Sequence, residues 1–325
     1  MYIESVNTLQ GAKKIAWAAL LAKCSLEQAE AEHTVLVWDG DVLAATGSRE
    51  GNILKCIAVD DAYQGQGLTG MVLTHLRQNA FQAGYSHLFL YTKPQNEHLF
   101  TPLLFYPIAR TSKVLLMEDD ARGIRRFLDA LKVPAGECGA VVMNADPFTL
   151  GHRYLIETAA KQCGQLLVFV LSEDKGHFSA DVRLELVRRG TADLHNVTVL
   201  PTGPYLISSA TFPTYFLKDR DSAADVHCML DIEMFARYFV PRFSITQRFV
   251  GTEPLSALTA RYNEMLKEQL PMRGIQVTEI PRLEKNGLPV SASAVRRALE
   301  GKQWETLRTL VPQTTFDYLL KEEAL

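Results

Sequence analysis

Asn144-Ala145-Asp146-Pro147-Phe148-Thr149-Leu150-Gly151-His152-Arg153-Tyr154-Leu155, running on to Cys163, is the stretch around which the chain is organised. The apolar run Ala140-Val141-Val142-Met143 precedes it and has the composition of a buried strand. Asp146-Pro147 ends that strand, because proline cannot continue a central strand and Asp-Pro favours a turn. Thr149 then stands where a helix N-cap is wanted, and Tyr154, Leu155 and Thr158 to Ala160 continue at helical spacing. His152 therefore falls in the first turn of a helix. Unpaired N–H groups and the positive end of the helix dipole face outward there and favour an anion. Gly151 lets a bulky group approach the backbone, and His152 adds a side-chain donor. Strand, turn and T-x-G-H at a helix start make a phosphate site.

From this point to the C-terminus, strands and helices alternate. The strands are expected at 139–144, 165–171, 197–201, 245–251 and 275–280, with helices at 151–163, 180–189, 222–238 and 254–270. Near-continuous Val/Leu/Ile strands between amphipathic helices imply a parallel sheet covered on both faces, with ligands beyond the carboxyl ends of the strands. Several further stretches fall at such ends. Lys175 and Arg183 bracket a helix start and suit a second phosphate or a plain charged surface. The polar loop 208–213 could shape a small-substrate pocket. Gly251 and Glu253 fit a loop against an adenosine, or a tight turn with Pro254 at the first helical position. Ser291 or Ser293 caps a last helix, which puts Arg296 one turn in, where its planar fork of donors can reach phosphate. His227 and Asp231 stand four apart on one predicted helix, but no third ligand joins them, so no metal site is expected.

The first 120 residues have a different rhythm. A helix is expected at 13–22, a strand pair at 34–38 and 41–47 around Asp39-Gly40, and a strand at 52–59. The last of these leads into Gln64-Gly65-Gln66-Gly67-Leu68-Thr69-Gly70 and a helix at 71–80, followed by strands at 87–91 and 113–117. A glycine-rich turn opening a helix holds a pyrophosphate or simply turns the chain. The boundary between the two regions is placed at residues 121–137, with domains at 1–120 and 138–325.

Composition bounds the class. A chain of 325 residues exceeds one typical core, and 47% hydrophobic with 22% charged residues is ordinary for a globular protein. A net charge of −3 argues against a nucleic-acid partner. No apolar run approaches the ~20 residues of a membrane span, and the N-terminus lacks a secretion signal. Five scattered cysteines without a C-x-x-C pair fit reduced thiols and a cytoplasmic location.

The motifs carry resemblances. Gln64 to Thr69 is similar to the pyrophosphate-binding loop of GCN5-type N-acetyltransferase (GNAT) domains, with Thr69 where that family has Gly or Ala. Thr149-x-Gly151-His152 with Ser291-x-Ser293-x-x-Arg296 resembles the paired motifs of the nucleotidylyltransferase superfamily. Lys175 to Arg183 resembles a stretch of the phosphopantetheine adenylyltransferases. Over essentially its whole length the chain resembles the [citrate (pro-3S)-lyase] ligase family.

These resemblances imply a mixed α/β chain: a GNAT-like α+β domain followed by a Rossmann-like, nucleotidylyltransferase (HUP) parallel-sheet domain. They imply ATP with Mg²⁺ as substrate, and no tightly bound cofactor. Acetate would be joined, through an acetyl-adenylate, to the thiol of the phosphoribosyl-dephospho-coenzyme A group on the citrate lyase acyl carrier subunit, releasing AMP and pyrophosphate. The implied catalytic residues are His152, Thr149, Lys175 and Arg296. The implied ATP-binding set is Asn144, Pro147, Phe148, Thr149, Gly151, His152, Gly251, Glu253, Ser291, Ser293 and Arg296. Gln64, Gly65, Gly67 and Gly70 would take the coenzyme A-like group. The alternative is an adenylyltransferase acting on a phosphopantetheine- or nucleotide-like substrate.

Overall fold

The computed structural model describes residues 1–174, 176–206, 214–215, 217, 223–285 and 287–323. It divides into two compact units, Met1–Ile124 with Pro213–Glu233, and Arg125–Phe212 with Met234–Leu325.

In the first unit the strands are β1 (Tyr2–Val6), β2 (His33–Asp39), β3 (Val42–Glu50), β4 (Ile53–Val59), β5 (Phe89–Thr92), β6 (Tyr106–Arg110) and β7 (Leu115–Glu118). They form one sheet in the order β1-β2-β3-β4-β5-β7-β6, antiparallel except where β4 meets β5. The helix Leu68–Gln82 lays Val72, Leu73, Leu76 and Ala80 on the sheet, where they join Val35, Val37, Leu54, Leu90 and Met117 in one core. Apolar residues at positions three and four apart give the helix that single buried stripe. β4 and β5 pair only at Ile53–Phe89 and Leu54–Leu90. Beyond those two pairs β4 runs on to Val59 and β5 to Thr92 without pairing to each other, and the gap opens into a groove.

The second unit holds β8 (Cys138–Met143), β9 (Gln165–Val170), β10 (Val197–Pro201), β11 (Ile245–Gly251) and β12 (Gln276–Ile280) in a parallel sheet of order β10-β9-β8-β11-β12. The order reverses at β8, between β9 on one side and β11 on the other, which is the switch point where such sheets open a crevice. Val141, Val168, Phe249 and Ile280 of the sheet pack against Ile156 and Ala159 of the helix Leu150–Ala160, and against Leu186 and Val187 of the helix Ala180–Gly190. The helices Ala292–Glu300, Trp304–Leu310 and Gln313–Glu323 follow, with Val295, Ala298, Leu307, Val311, Phe316 and Leu319 in a smaller core of their own. Among the described residues no helix is long and apolar enough to cross a membrane.

One expected element shifts, and two strands are additional. The helix expected at 254–270 starts at Ala257 with Ser256 as its N-cap, because the Glu253 carboxylate accepts the Leu255 and Ser256 N–H groups and holds the preceding residues in a turn. Pro254 is thus a loop residue. β1 and β6 were not expected: β1 is an edge strand with little buried surface, and β6 is broken in register at Pro107.

Candidate active site

The switch point is occupied by the start of the Leu150–Ala160 helix. Thr149, in extended backbone, is its N-cap and is 1% exposed. Its hydroxyl accepts the His152 N–H at 3.2 Å, while its own N–H donates to His152 Nδ1 at 3.1 Å, a reciprocal capping box. An amide N–H can only donate, so Nδ1 is the acceptor and a neutral ring carries its proton on Nε2. Burial, with the Arg282 charge as a second cause, lowers the His152 pKa to about 4, so the ring is neutral at physiological pH. The sequence supplies a donor, and its cap fixes which nitrogen donates.

Gly151 has a different use from the one its sequence suggests. A Cβ there would lie 2.6 Å from the Val290 carbonyl oxygen, so the close approach is made by the chain just before Ser291 and not by a ligand. Glycine at this point lets the second motif seat against the first. Ser291 caps the Ala292–Glu300 helix by accepting the Ala294 N–H at 3.2 Å. Arg296 reaches back from that helix: Nη2 donates to Ser293 Oγ at 3.2 Å, and Nη1 donates to the Asp146 carbonyl and lies 3.5 Å from the Asp146 carboxylate. That carboxylate also accepts the His177 and Phe178 N–H groups, each at 2.9 Å. Asp146, drawn from the turn after β8, thereby ties both motifs to the loop after β9.

Arg183 is buried completely and is no surface cation. Its guanidinium donates to the carbonyls of Phe178, Asn144 and Glu173 and to the Asn144 side chain. It braces the loops after β8 and β9 and is already engaged, so it is not the second phosphate ligand its spacing suggested. Lys175, and the loop 208–213, lie outside the described residues.

Asn144, Gly151, His152, Gly251, Glu253, Ser291 and Ser293 come together on one cavity of about 510 Å³. Leu155, Phe249, Val250, Tyr262 and Ile280 give it an apolar side. Pro147, Phe148 and Thr149 are buried and do not line it; the Phe148 ring lies behind the His152 ring, 6.0 Å between centroids. Arg296 stands beside it, held to Asp146 and Ser293. Glu253 lines it with a carboxylate that is fully engaged: Oε1 accepts the N–H groups of Leu255 and Ser256, and Oε2 pairs with Arg282. Arg282 and the buried Arg248, whose guanidinium sits 4.5 Å over the Phe235 ring, line the same cavity. Both escaped motif reading. Arg248 lies in the middle of β11 and carries no local signal; Arg282 could have been flagged only by its place just after β12.

In the first unit Gln64, Gly65 and Gly67 line the groove that opens between β4 and β5, about 570 Å³, together with Val59, Leu90 and Tyr91. Gly65 and Gly67 have φ of 77° and 76°, and nothing lies within 4 Å of a Cβ at either, so the left-handed turn leaves an open face at the start of the Leu68–Gln82 helix. Gly70 differs: a Cβ there would meet Leu103 at 3.3 Å, and it does not line the groove. At the buried end Tyr215 donates its hydroxyl to the Tyr91 carbonyl at 2.7 Å.

Comparison with known proteins adds an independent line. Residues 138–319 match the family described as citrate lyase ligase C-terminal domain, and residues 5–100 match the acetyltransferase (GNAT) family. The chain is 42% identical over 302 residues to the [citrate [pro-3S]-lyase] ligase of Klebsiella pneumoniae, covering 90% of this chain and 88% of that one. It is 38% identical to the Escherichia coli (strain K12) protein of the same name, covering 88% and 84%. A 56-residue stretch, 17% of this chain and 34% of the other, is 46% identical to a phosphopantetheine adenylyltransferase of Clostridium botulinum.

Proposed function

Because the chain belongs to the citrate lyase ligase family, we propose that it activates citrate lyase by joining acetate to the carrier subunit's thiol at the expense of ATP, through an acetyl-adenylate. The observation that carries this reading is the single cavity on which His152 of the first motif and Ser291 and Ser293 of the second converge.

Acetate has a pKa near the ~4.3 of a glutamate side chain, so it is already an anion at neutral pH and its attack on the α-phosphate needs no general base. The demand is to hold two anions together and to stabilise charge on the α-phosphate and the departing pyrophosphate. A neutral His152 meets this as a hydrogen-bond donor from Nε2 towards the α- and β-phosphates. The N–H groups of Leu150 and Gly151, at the first two helical positions, have no intrahelical carbonyl to reach and add to it. Ser291, Ser293 and Arg296 take the β- and γ-phosphates, and Lys175 another phosphate. Positioning supplies up to ~7–11 kcal/mol and one aimed donor about 2.7–4 kcal/mol, so placement outweighs any one side chain. The Glu253 carboxylate at the cavity is already engaged, so Mg²⁺ would arrive with ATP, held by phosphates and water, and neutralise part of their charge.

Adenylation of acetate breaks the bond from α-phosphate to the bridging oxygen, and pyrophosphate leaves. The carrier thiol, as thiolate, then attacks the acetyl carbon and AMP departs. The open glycine turn at Gly65 and Gly67 suits the diphosphate of the phosphoribosyl-dephospho-coenzyme A group, with the groove beyond it for the arm.

ATP–pyrophosphate exchange without carrier tests the reading. Exchange that depends on acetate is expected. The adenylyltransferase alternative, which the likeness to phosphopantetheine adenylyltransferase favours, predicts exchange with phosphopantetheine and none with acetate.

A further inference from the structure

We infer that Arg282 is the cation that grips the α-phosphate, the one phosphate that stays with the nucleoside from ATP to AMP, and that Glu253 is its positioning residue. The inference rests on the cavity being the ATP site.

Arg282 follows β12 directly after Pro281, and three contacts fix it on the loop after β11. Its N–H donates to Thr252 Oγ1 at 3.0 Å, Nε donates to the Thr252 carbonyl at 2.7 Å, and Nη2 pairs with Glu253. Glu253 cannot follow a moving partner, because its other oxygen is pinned by the Leu255 and Ser256 N–H groups. The guanidinium is therefore oriented before any ligand arrives. Of its five donors, those on Nη1 carry no hydrogen bond among the described residues, and Arg282 lines the cavity. A rigid, partly used fork on a residue that lines a cavity is suited to an anionic oxygen.

Position decides which anion. Arg296 is held to Asp146, on the side of the loops after β8 and β9. Arg282 stands on the opposite side, over the ends of β11 and β12, where Gly251, Tyr262 and Ile280 form the less polar wall suited to a nucleoside. His152 lines the same cavity, near enough to Arg282 for its charge to count in the titration of the ring. A nucleotide with its base on the apolar side and its polyphosphate towards Ser293 and Arg296 would put the α-phosphate between Arg282 and His152. Arg282 would then remain in contact with the acetyl-adenylate and with AMP, while Arg296 loses its ligand when pyrophosphate leaves.

Calorimetry with ATP, AMP and adenosine on Arg282→Gln, Arg282→Lys, Glu253→Gln and Arg296→Gln separates these roles. Arg282→Gln should weaken ATP and AMP alike by about 10- to 100-fold and adenosine by less than about threefold. Arg282→Lys and Glu253→Gln should fall between it and the wild type, and Arg296→Gln should weaken ATP but not AMP. The His152 ring, followed by NMR, should titrate higher in Arg282→Gln than in the wild type. AMP affinity untouched by Arg282→Gln would overturn the inference, and so would adenosine weakened as much as AMP, or a rise confined to the KM for acetate. A wild-type protein that binds neither ATP nor AMP would instead remove the ATP-site reading beneath it.

Discussion

At the residue scale the informative fact about His152 is that it is neutral. An imidazolium would attract phosphate more strongly, but its charge would favour the bound ground state as well as the transition state, and that does not speed the chemical step. A fixed Nε2–H aimed by Thr149 acts where charge develops. His152→Ala should slow acetate-dependent ATP–pyrophosphate exchange about 100-fold or more; an exchange rate within a few-fold of wild type would take His152 out of the mechanism. The pH dependence has a definite sign. With its pKa lowered to about 4, the folded ring refuses a proton that the unfolded chain accepts below its ordinary value. Its contribution to stability is fully present above pH ~6.5 and is lost as pH falls through the window down to about 4. Melting curves across that window should therefore fall less steeply in His152→Gln than in the wild type, and activity should show no histidine inflection near 6.5. Parallel slopes for the two proteins would mean that the ring is not shielded as described.

At the level of elements, what holds the two motifs together is backbone packing that neither motif spells out. Gly151 sits in a helix, where alanine is ordinarily better by about 1 kcal/mol. Here a Cβ would meet the Val290 carbonyl at 2.6 Å, and backbone cannot step aside as a side-chain tip can. Gly151→Ala should therefore lower the melting temperature and ATP affinity together, by moving Ser291 and Ser293; ATP affinity intact at a lowered melting temperature would disconnect the glycine from the site. Arg183 makes a parallel case. It satisfies three carbonyls and a side-chain amide from inside the protein, so Arg183→Met should cost on the order of 3–5 kcal/mol in denaturant unfolding. A loss within about 0.5 kcal/mol, usual for a surface position, would contradict the bracing role. These cases mark what sequence could reveal. Thr149, His152 and Ser291 were legible because capping is local, set by residues three apart. The strands of the parallel sheet were legible because burial on both faces writes itself as apolar runs. Arg282 was not, because its partners lie about thirty residues away across neighbouring strand ends. The brace at Arg183 was hidden for the same reason, since a spacing of Lys and Arg reads equally as a phosphate pair or a solvated face.

For the whole molecule, the division into two units is not a single cut in the sequence. Pro213–Glu233 belongs with the first unit, and within it Tyr215 is buried, with its hydroxyl on the Tyr91 carbonyl and its own carbonyl accepting the Glu27 N–H at 2.7 Å. Removing residues 1–117 would take away both partners and leave a buried tyrosine exposed, so truncation confounds loss of the groove with loss of packing. A point change inside the intact chain asks the question more cleanly. Gly67 has φ of 76° and open space where a side chain would go, on the groove side of the helix start. A Cβ there meets no protein atom within 4 Å, but a valine strains the left-handed turn by about 1–2 kcal/mol and would cover the N–H groups that would face a diphosphate. If the first unit recognises the prosthetic arm, Gly67→Val should reduce acetylation of the carrier about tenfold or more, while acetate-dependent exchange without carrier proceeds at the wild-type rate. Equal losses in both assays would mean that the groove serves the stability of the chain as a whole. Unchanged carrier acetylation would mean that the arm is recognised elsewhere, and that the glycine turn is only the way the chain passes from β4 into its helix.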